Sequence, residues 1–271
     1  MSTAATQVNP HLKALTEAGV SVWLDQIRRS LIEGGELARM VAGDSLRGVT
    51  ANPSIFEKAI LGSKDYDEEL AELAHQELDS QAIYDRLAIR DVQLAADVLA
   101  DVYREANGRD GFASLEVSPD IAHDSERTLE AARTYWRALD RPNVMIKIPG
   151  TPEGVRAIQE AIYEGINVNI TLLFAVSAYE KVAEAYLRGL ERRQAEGLPL
   201  SVNSVASFFV SRVDTNVDRK LEALGRSDLA GRAALANARA AYRRFEEIFA
   251  GPRWEALRHA GAAVQRPLWA S

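Results

Sequence analysis

Short apolar runs alternate with longer amphipathic stretches along most of the chain. The short runs predict strands at 22–25, 48–52, 112–117, 144–149, 166–174, 202–210 and 264–271. Between them apolar residues recur at spacings of three and four, which predicts helices over 125–139, 153–163, 178–191 and 211–224. Asp124 or Ser125 caps the first of these, and Thr151-Pro152-Glu153 supplies a cap, a first-turn proline and an acidic residue in order. Strands alternating with helices predict an α/β fold, a parallel sheet with helices outside it. The interval 62–110 reads as mostly helical, and its charges at 64–69 read as solvated surface.

Side chains alternate across a strand, so each strand can be sorted by face. Asp25 ends the first strand. Thr50 and Asn52 share a face of the second, just ahead of Pro53. Ser114 and Glu116 oppose Ala113, Leu115 and Val117. Asn167, Asn169 and Thr171 oppose Ile166, Val168, Ile170 and Leu172. Ser207 and Phe209 alternate with Ala206 and Phe208, and Arg212 follows. Polar groups therefore gather on one face of several strands, near their C-terminal ends. In a closed barrel the apolar face packs on the helices, and active sites lie at that C-terminal end. A polar barrel interior with no chemistry gives the same pattern, since a buried polar group needs only a partner.

The strand Asn143-Val-Met-Ile-Lys-Ile-Pro149 is the odd one. It is apolar on both faces, as a strand buried in a parallel sheet is, yet it carries Lys147 at its centre. A buried ammonium is costly unless it is paired or deprotonated. A free amine attacks a carbonyl to form a Schiff base. An edge-strand lysine whose head reaches solvent is the alternative.

The chain has 271 residues, 47% hydrophobic and 26% charged, enough for a full core and compatible with one domain over 1–271. Its net charge of −7 and lack of a basic stripe argue against a nucleic-acid partner. There is no cysteine, which excludes disulfides, thiolate metal sites and a thiol nucleophile. The first ten residues lack the basic start and apolar run of a signal peptide, and no apolar stretch is long enough for a bilayer. The expectation is a cytoplasmic protein with no membrane partner. His11, His75, His123 and His259 are isolated, without metal-ligand spacing. There is no Walker loop, no Gly-x-Gly-x-x-Gly after a strand and no nucleophile elbow. No cofactor or metal is expected.

The polar set fits Schiff-base aldol chemistry. Lys147 is the amine nucleophile. Glu116 is the candidate acid/base for expelling water from the carbinolamine, and Asp25 the candidate acceptor of a hydroxyl proton during carbon–carbon cleavage. Asn52, Asn169, Thr171 and Ser207 offer neutral hydrogen bonds to a polyhydroxy substrate. Thr50 and Phe209 sit on the same faces. Arg212 suits a phosphate, because a guanidinium grips two oxygens at once. A surface helix arginine is the plain alternative.

These residues carry a resemblance. Val-Trp-Leu-Asp25, Gly-Val-Thr-Ala-Asn52-Pro-Ser, Ser-Leu-Glu116-Val-Ser-Pro, Met-Ile-Lys147-Ile-Pro-Gly-Thr, Asn-Val-Asn169-Ile-Thr171-Leu-Leu-Phe and Ser207-Phe-Phe-Val-Ser-Arg212-Val-Asp together resemble the transaldolase family in its actinobacterial form. The resemblance runs from about residue 15 to the end. It implies a (β/α)8 barrel of the class I aldolase type. It implies transfer of a dihydroxyacetone unit from sedoheptulose 7-phosphate to glyceraldehyde 3-phosphate in the non-oxidative pentose phosphate pathway, giving erythrose 4-phosphate and fructose 6-phosphate. The implied roles are Lys147 as Schiff base, Glu116 and Thr171 around a catalytic water, and Asp25 as acid/base. Asn52 and Asn169 would hold substrate hydroxyls, and Ser207 and Arg212 the phosphate end.

One departure stands out. The sequence stops at Leu268-Trp-Ala-Ser271, where the family continues with an eighth strand, more of a phosphate loop and a closing helix. Ser271 matches the start of that loop. The expectation is a barrel incomplete at its C-terminus, whose open edges favour self-association. Two other readings stay open: a fructose 6-phosphate aldolase-like enzyme, and an inactive sugar-phosphate-binding remnant.

Overall fold

The computed structural model of the protein describes residues 8–270. Ser271 therefore lies outside the described residues. By internal packing the chain divides into two compact units. The first runs to Glu116 and adds Thr134–Met145; the second holds Val117–Arg133 and continues from Ile146.

The first unit contains α1 (Pro10–Glu17), β1 (Val22–Asp25), α2 (Arg29–Glu33), α3 (Glu36–Gly43), β2 (Leu46–Thr50), α4 (Pro53–Leu61), α5 (Asp67–Ala74), α6 (Ser80–Val98), α7 (Ala100–Glu105) and β3 (Phe112–Glu116). The next two elements, α8 (Ser125–Leu139) and β4 (Val144–Pro149), run through both units. The second unit continues with α9 (Pro152–Glu164), β5 (Val168–Leu173), α10 (Val176–Ala195), β6 (Ser204–Phe209), α11 (Ser211–Ala223), α12 (Ala233–Ile248), α13 (Pro252–His259) and β7 (Arg266–Ala270). Strands pair parallel and in chain order within each unit, β1-β2-β3 in one and β4-β5-β6-β7 in the other. Parallel strands that follow one another with helical crossovers are the (β/α)-barrel pattern. Among the described residues no helix is long and apolar enough to cross a membrane.

In the first unit Val49, Phe56, Leu87, Val92 and Phe112 are fully buried between sheet and helices. Gly48 pairs with Trp23 across β1 and β2. A Cβ at Gly48 would lie 2.4 Å from the Trp23 ring, so the strand needs its glycine there to seat the indole. The segment after β1 is tied down by a buried ionic cluster. Arg29 donates through Nε to Asp91 at 2.6 Å and through Nη1 to Glu69 at 2.6 Å. The Tyr66 hydroxyl donates to the other Asp91 oxygen at 2.7 Å and accepts the Arg29 backbone N–H at 3.1 Å. Burial pushes the Asp91 carboxyl above the usual range, against the pull of Tyr66 and Arg29. The solvated-surface expectation for 64–69 is thus overturned at Glu69, whose side chain is only 17% exposed.

In the second unit α9 and α10 approach closely, because Gly189 has no side chain to meet Ile162. Thr151 caps α9 by accepting the Gly154 N–H at 2.9 Å, and Gly165, at φ +88°, ends the helix in the left-handed region. The Tyr186 hydroxyl, fully buried on α10, donates to the carbonyls of Val202 and Ala263. The expected alternation fails at one point in β5. Leu172, expected on the apolar face, has φ +60° and is 41% exposed. The register with β6 shifts between Ile170 and Leu173 at the same place. A bulge adds one residue to the strand and re-aims its neighbours.

Candidate functional site

The first unit contributes a row of side chains. Asp25 pairs with Thr50, and Thr50 with Ser114, so three strands present one register line. Glu116 stands two residues beyond Ser114 on the same face, since strand side chains repeat every second residue. Asp25 is exposed, whereas Thr50, Ser114 and Glu116 are buried. The Thr50 hydroxyl is buried without a hydrogen-bond partner among the described residues. A buried hydroxyl left without a protein partner is open to pairing with a ligand. Asn52 is not on β2 as expected. It is the N-cap of α4, with its side-chain oxygen accepting the Ile55 N–H at 3.0 Å. The cap fixes its position and leaves the amide NH2 as the group suited to a substrate hydroxyl.

Sequence reasoning missed Tyr84, on α6. Its hydroxyl is buried without a hydrogen-bond partner among the described residues. Burial first, then the charges of Asp85 and Glu116, raise its pKa above the ordinary phenol range, so the hydroxyl is a weaker acid than a free phenol. Nothing in the local sequence marks it, because Tyr84 also reads as an apolar helix position packing on Phe56, which it meets edge-on at 6.1 Å.

The second unit contributes the amine. Lys147 is 4% exposed, which removes the solvent-reaching alternative. Its carbonyl accepts the Val117 N–H at 3.1 Å, and it pairs in register with Asn169 on β5. Pro149 pairs with Thr171 one step further along. Asn169 and Thr171 are buried. The Ser207 hydroxyl, on β6, donates to the Asn169 side-chain oxygen at 2.7 Å. Lys147, Asn169, Thr171 and Ser207 thus come from three adjacent strands of one sheet. At the last residue of β6, Phe209 stacks on Phe174 with ring centroids 5.6 Å apart. The Arg212 guanidinium lies 4.5 Å from the Phe209 ring centroid. Arg212 is exposed in the first turn of α11, whose N-terminus has no side-chain cap. A helix N-terminus and a guanidinium both favour an anion.

A buried strand lysine, with buried neutral hydrogen-bonding side chains on the neighbouring strands of its sheet, in a fold of parallel strands and helices, defines the class: an α/β-barrel protein of the Schiff-base aldolase type. The chain belongs to the transaldolase/fructose-6-phosphate aldolase family, which it matches over residues 22–266. It is 49% identical over 265 residues to a transaldolase of Saccharopolyspora erythraea, an alignment covering 97% of this chain and 72% of that protein. It is 50% identical over 265 residues to transaldolase 1 of Streptomyces avermitilis, covering 96% of this chain and 70% of the relative. A transaldolase of Thermobifida fusca is 49% identical over 264 residues, with 96% and 72% covered.

Proposed function

We propose that the chain transfers a dihydroxyacetone unit from sedoheptulose 7-phosphate to glyceraldehyde 3-phosphate. The observation that carries this is the burial of Lys147 on β4, in register with Asn169 and close in fold to the Ser207–Asn169 pair. The Lys147 Nζ attacks the C2 carbonyl of the ketose to give a carbinolamine. Glu116, aided by Thr171, protonates the departing hydroxyl as water, and an iminium forms. Asp25 takes the proton of the C4 hydroxyl, the C3–C4 bond breaks, and its electron pair flows into the iminium. Erythrose 4-phosphate leaves. The enamine then attacks the aldehyde carbon of glyceraldehyde 3-phosphate, and Asp25 returns the proton. Hydrolysis of the new iminium releases fructose 6-phosphate and restores the amine. The iminium serves as the electron sink, so the step balances without a redox partner.

Asn52, Thr50 and Asn169 hold the hydroxyls. Ser207, Phe209 and Arg212 define the phosphate end, and Ser271 belongs with them on sequence grounds. The same reading places the protein in the cytoplasm as one barrel domain, with association of copies through strand edges, which the particle mass in solution reads out.

Borohydride reduction in the presence of fructose 6-phosphate tests the reading. A covalent adduct on Lys147 is expected, and Lys147→Ala is expected to lose it entirely. Absence of the adduct in folded wild-type protein favours the sugar-phosphate-binding remnant. Product release without an acceptor aldehyde favours the aldolase alternative.

A further inference from the structure

The first unit holds a cavity that borders the transfer chemistry only through Asp25 and whose other lining residues the mechanism does not use. It has a volume of about 280 Å³ and lies between the segment after β1 and α4. Ile27 and Ile55 line its apolar part, Arg28 and Lys58 bring two cations to it, and Gln26 brings an amide. Asp25 stands on its wall.

Two positive charges from separate elements, thirty residues apart in sequence, share one small concavity. Neither makes an ion pair among the described residues. Arg28 is within electrostatic reach of Asp65, but the Asp65 carboxylate accepts instead from the Ser30 N–H at 3.3 Å. Against the Asp25 carboxylate on the same wall, the two cations leave the lining net positive in a chain that is −7 overall, and a concave wall focuses that potential for an anion.

The cavity is also held in shape. Ile27 is 1% exposed, and the next residue but one, Arg29, is locked by Asp91, Glu69 and Tyr66. Arg28 therefore projects from a backbone fixed on both sides. Across the cavity, α4 is fixed by its Asn52 cap, and the Gly62 N–H bonds the Lys58 carbonyl at 2.9 Å. A receptor whose backbone is already ordered loses less entropy on binding.

We propose that this cavity is an oxyanion subsite, built without Arg212, that takes the phosphate of a small phosphorylated sugar. The guanidinium of Arg28 grips two phosphate oxygens and the Lys58 ammonium a third. The Gln26 amide meets a hydroxyl. An occupant lies against Asp25, so it competes with transfer; this last consequence rests on the transfer reading above.

The test titrates inorganic phosphate calorimetrically into the intact chain carrying Arg212→Gln, so that binding at Arg212 is removed. The same titration is run with Arg28→Gln and Lys58→Gln added. The Arg212→Gln chain is expected to bind phosphate, and the added substitutions to weaken that binding by about tenfold or more, the loss of two charge-assisted contacts. No binding to the Arg212→Gln chain, or equal binding to both, overturns the proposal. Borohydride trapping on Lys147 of the wild-type chain by fructose 6-phosphate is run beside the titrations in phosphate-free buffer. That readout judges the transfer reading separately, because it does not depend on phosphate at the cavity.

Discussion

The segment after β1 and the adjacent strands β5 and β6 solve the same problem with opposite chemistry. Each must hold polar side chains in a dry place. In the first unit the solution is ionic: Arg29 is 5% exposed and joined to Asp91, Glu69 and Tyr66. In the second it is neutral: a serine hydroxyl meets an asparagine amide at 2.7 Å, with both residues buried. The ionic cluster fixes backbone, because Arg29 sits just beyond the Asp25 segment, and its charges are spent on one another. The neutral pair keeps groups able to exchange partners with a sugar hydroxyl at little electrostatic expense. A buried charge commits a site to one arrangement, while a buried amide or hydroxyl leaves it usable.

The sharpest way to break this contrast is to remove Asp91. Asp91→Ala leaves the Arg29 charge buried with half of its support gone. Removing one partner of a buried ion pair typically costs about 3–5 kcal/mol. Urea denaturation of the variant against wild type measures it. Because Arg29 holds the chain beyond Asp25, the trapping rate with fructose 6-phosphate is expected to fall along with stability. A loss under about 1 kcal/mol would put the cluster in the class of surface pairs and remove the ionic half of the contrast.

Ser207→Ala tests the neutral half. One hydrogen bond is lost, worth about 0.5–1.5 kcal/mol net. The fold is expected to tolerate the change in the same urea titration. Trapping is expected to need a higher concentration of fructose 6-phosphate, since Asn169 then loses the donor that orients its amide. A stability loss as large as that of Asp91→Ala would mean that the neutral pair is also an anchor, and the distinction drawn between the two regions would go.

The two halves also differ in how far they could be read from sequence. The parallel α/β pattern was legible because apolar runs and helical spacings alternate, and β1 and β4 fall at the predicted bounds. Lys147, Asn169 and Ser207 were legible because strand alternation sorts faces without knowledge of tertiary partners. The ionic cluster was not. Arg29, Glu69 and Asp91 lie 22 to 62 positions apart, on helices where a charged residue ordinarily means solvent. Only tertiary packing turns those positions inward. The Leu172 bulge escaped for a related reason. Alternation assumes an unbroken strand, and Asn-Ile-Thr-Leu-Leu-Phe carries no glycine or proline to signal a break. Asn52 was placed on a strand although Pro53 follows it, and Asn-Pro before an apolar helical pattern is itself a cap signal.

A third pair of groups shows whether burial or charge makes the difference. On the outside of the second unit Arg253 reaches Glu184 at 2.7 Å and Glu191 at 2.6 Å, joining α13 to α10. The chemistry matches that of the Arg29 cluster, but the side chains are 45% and 39% exposed for Arg253 and Glu184. If charge alone mattered, Arg253→Ala would match Asp91→Ala. If burial decides, water screens the pairs, and each contributes only about 0.2–1 kcal/mol. The second outcome is expected. The Arg253 hydrogen bond holds the Glu184 carboxyl below the usual carboxylate range, ahead of the Arg188 bond and against desolvation. A carboxyl that is more acidic folded than unfolded stabilises fully above its unfolded value, and that contribution fades as pH falls through the lower folded value. Urea midpoints of wild type and Arg253→Ala should therefore differ slightly at neutral pH and converge in acid, with added salt narrowing the neutral difference as well. A gap that is large at neutral pH and insensitive to salt would show that exposed pairs anchor this fold as firmly as buried ones.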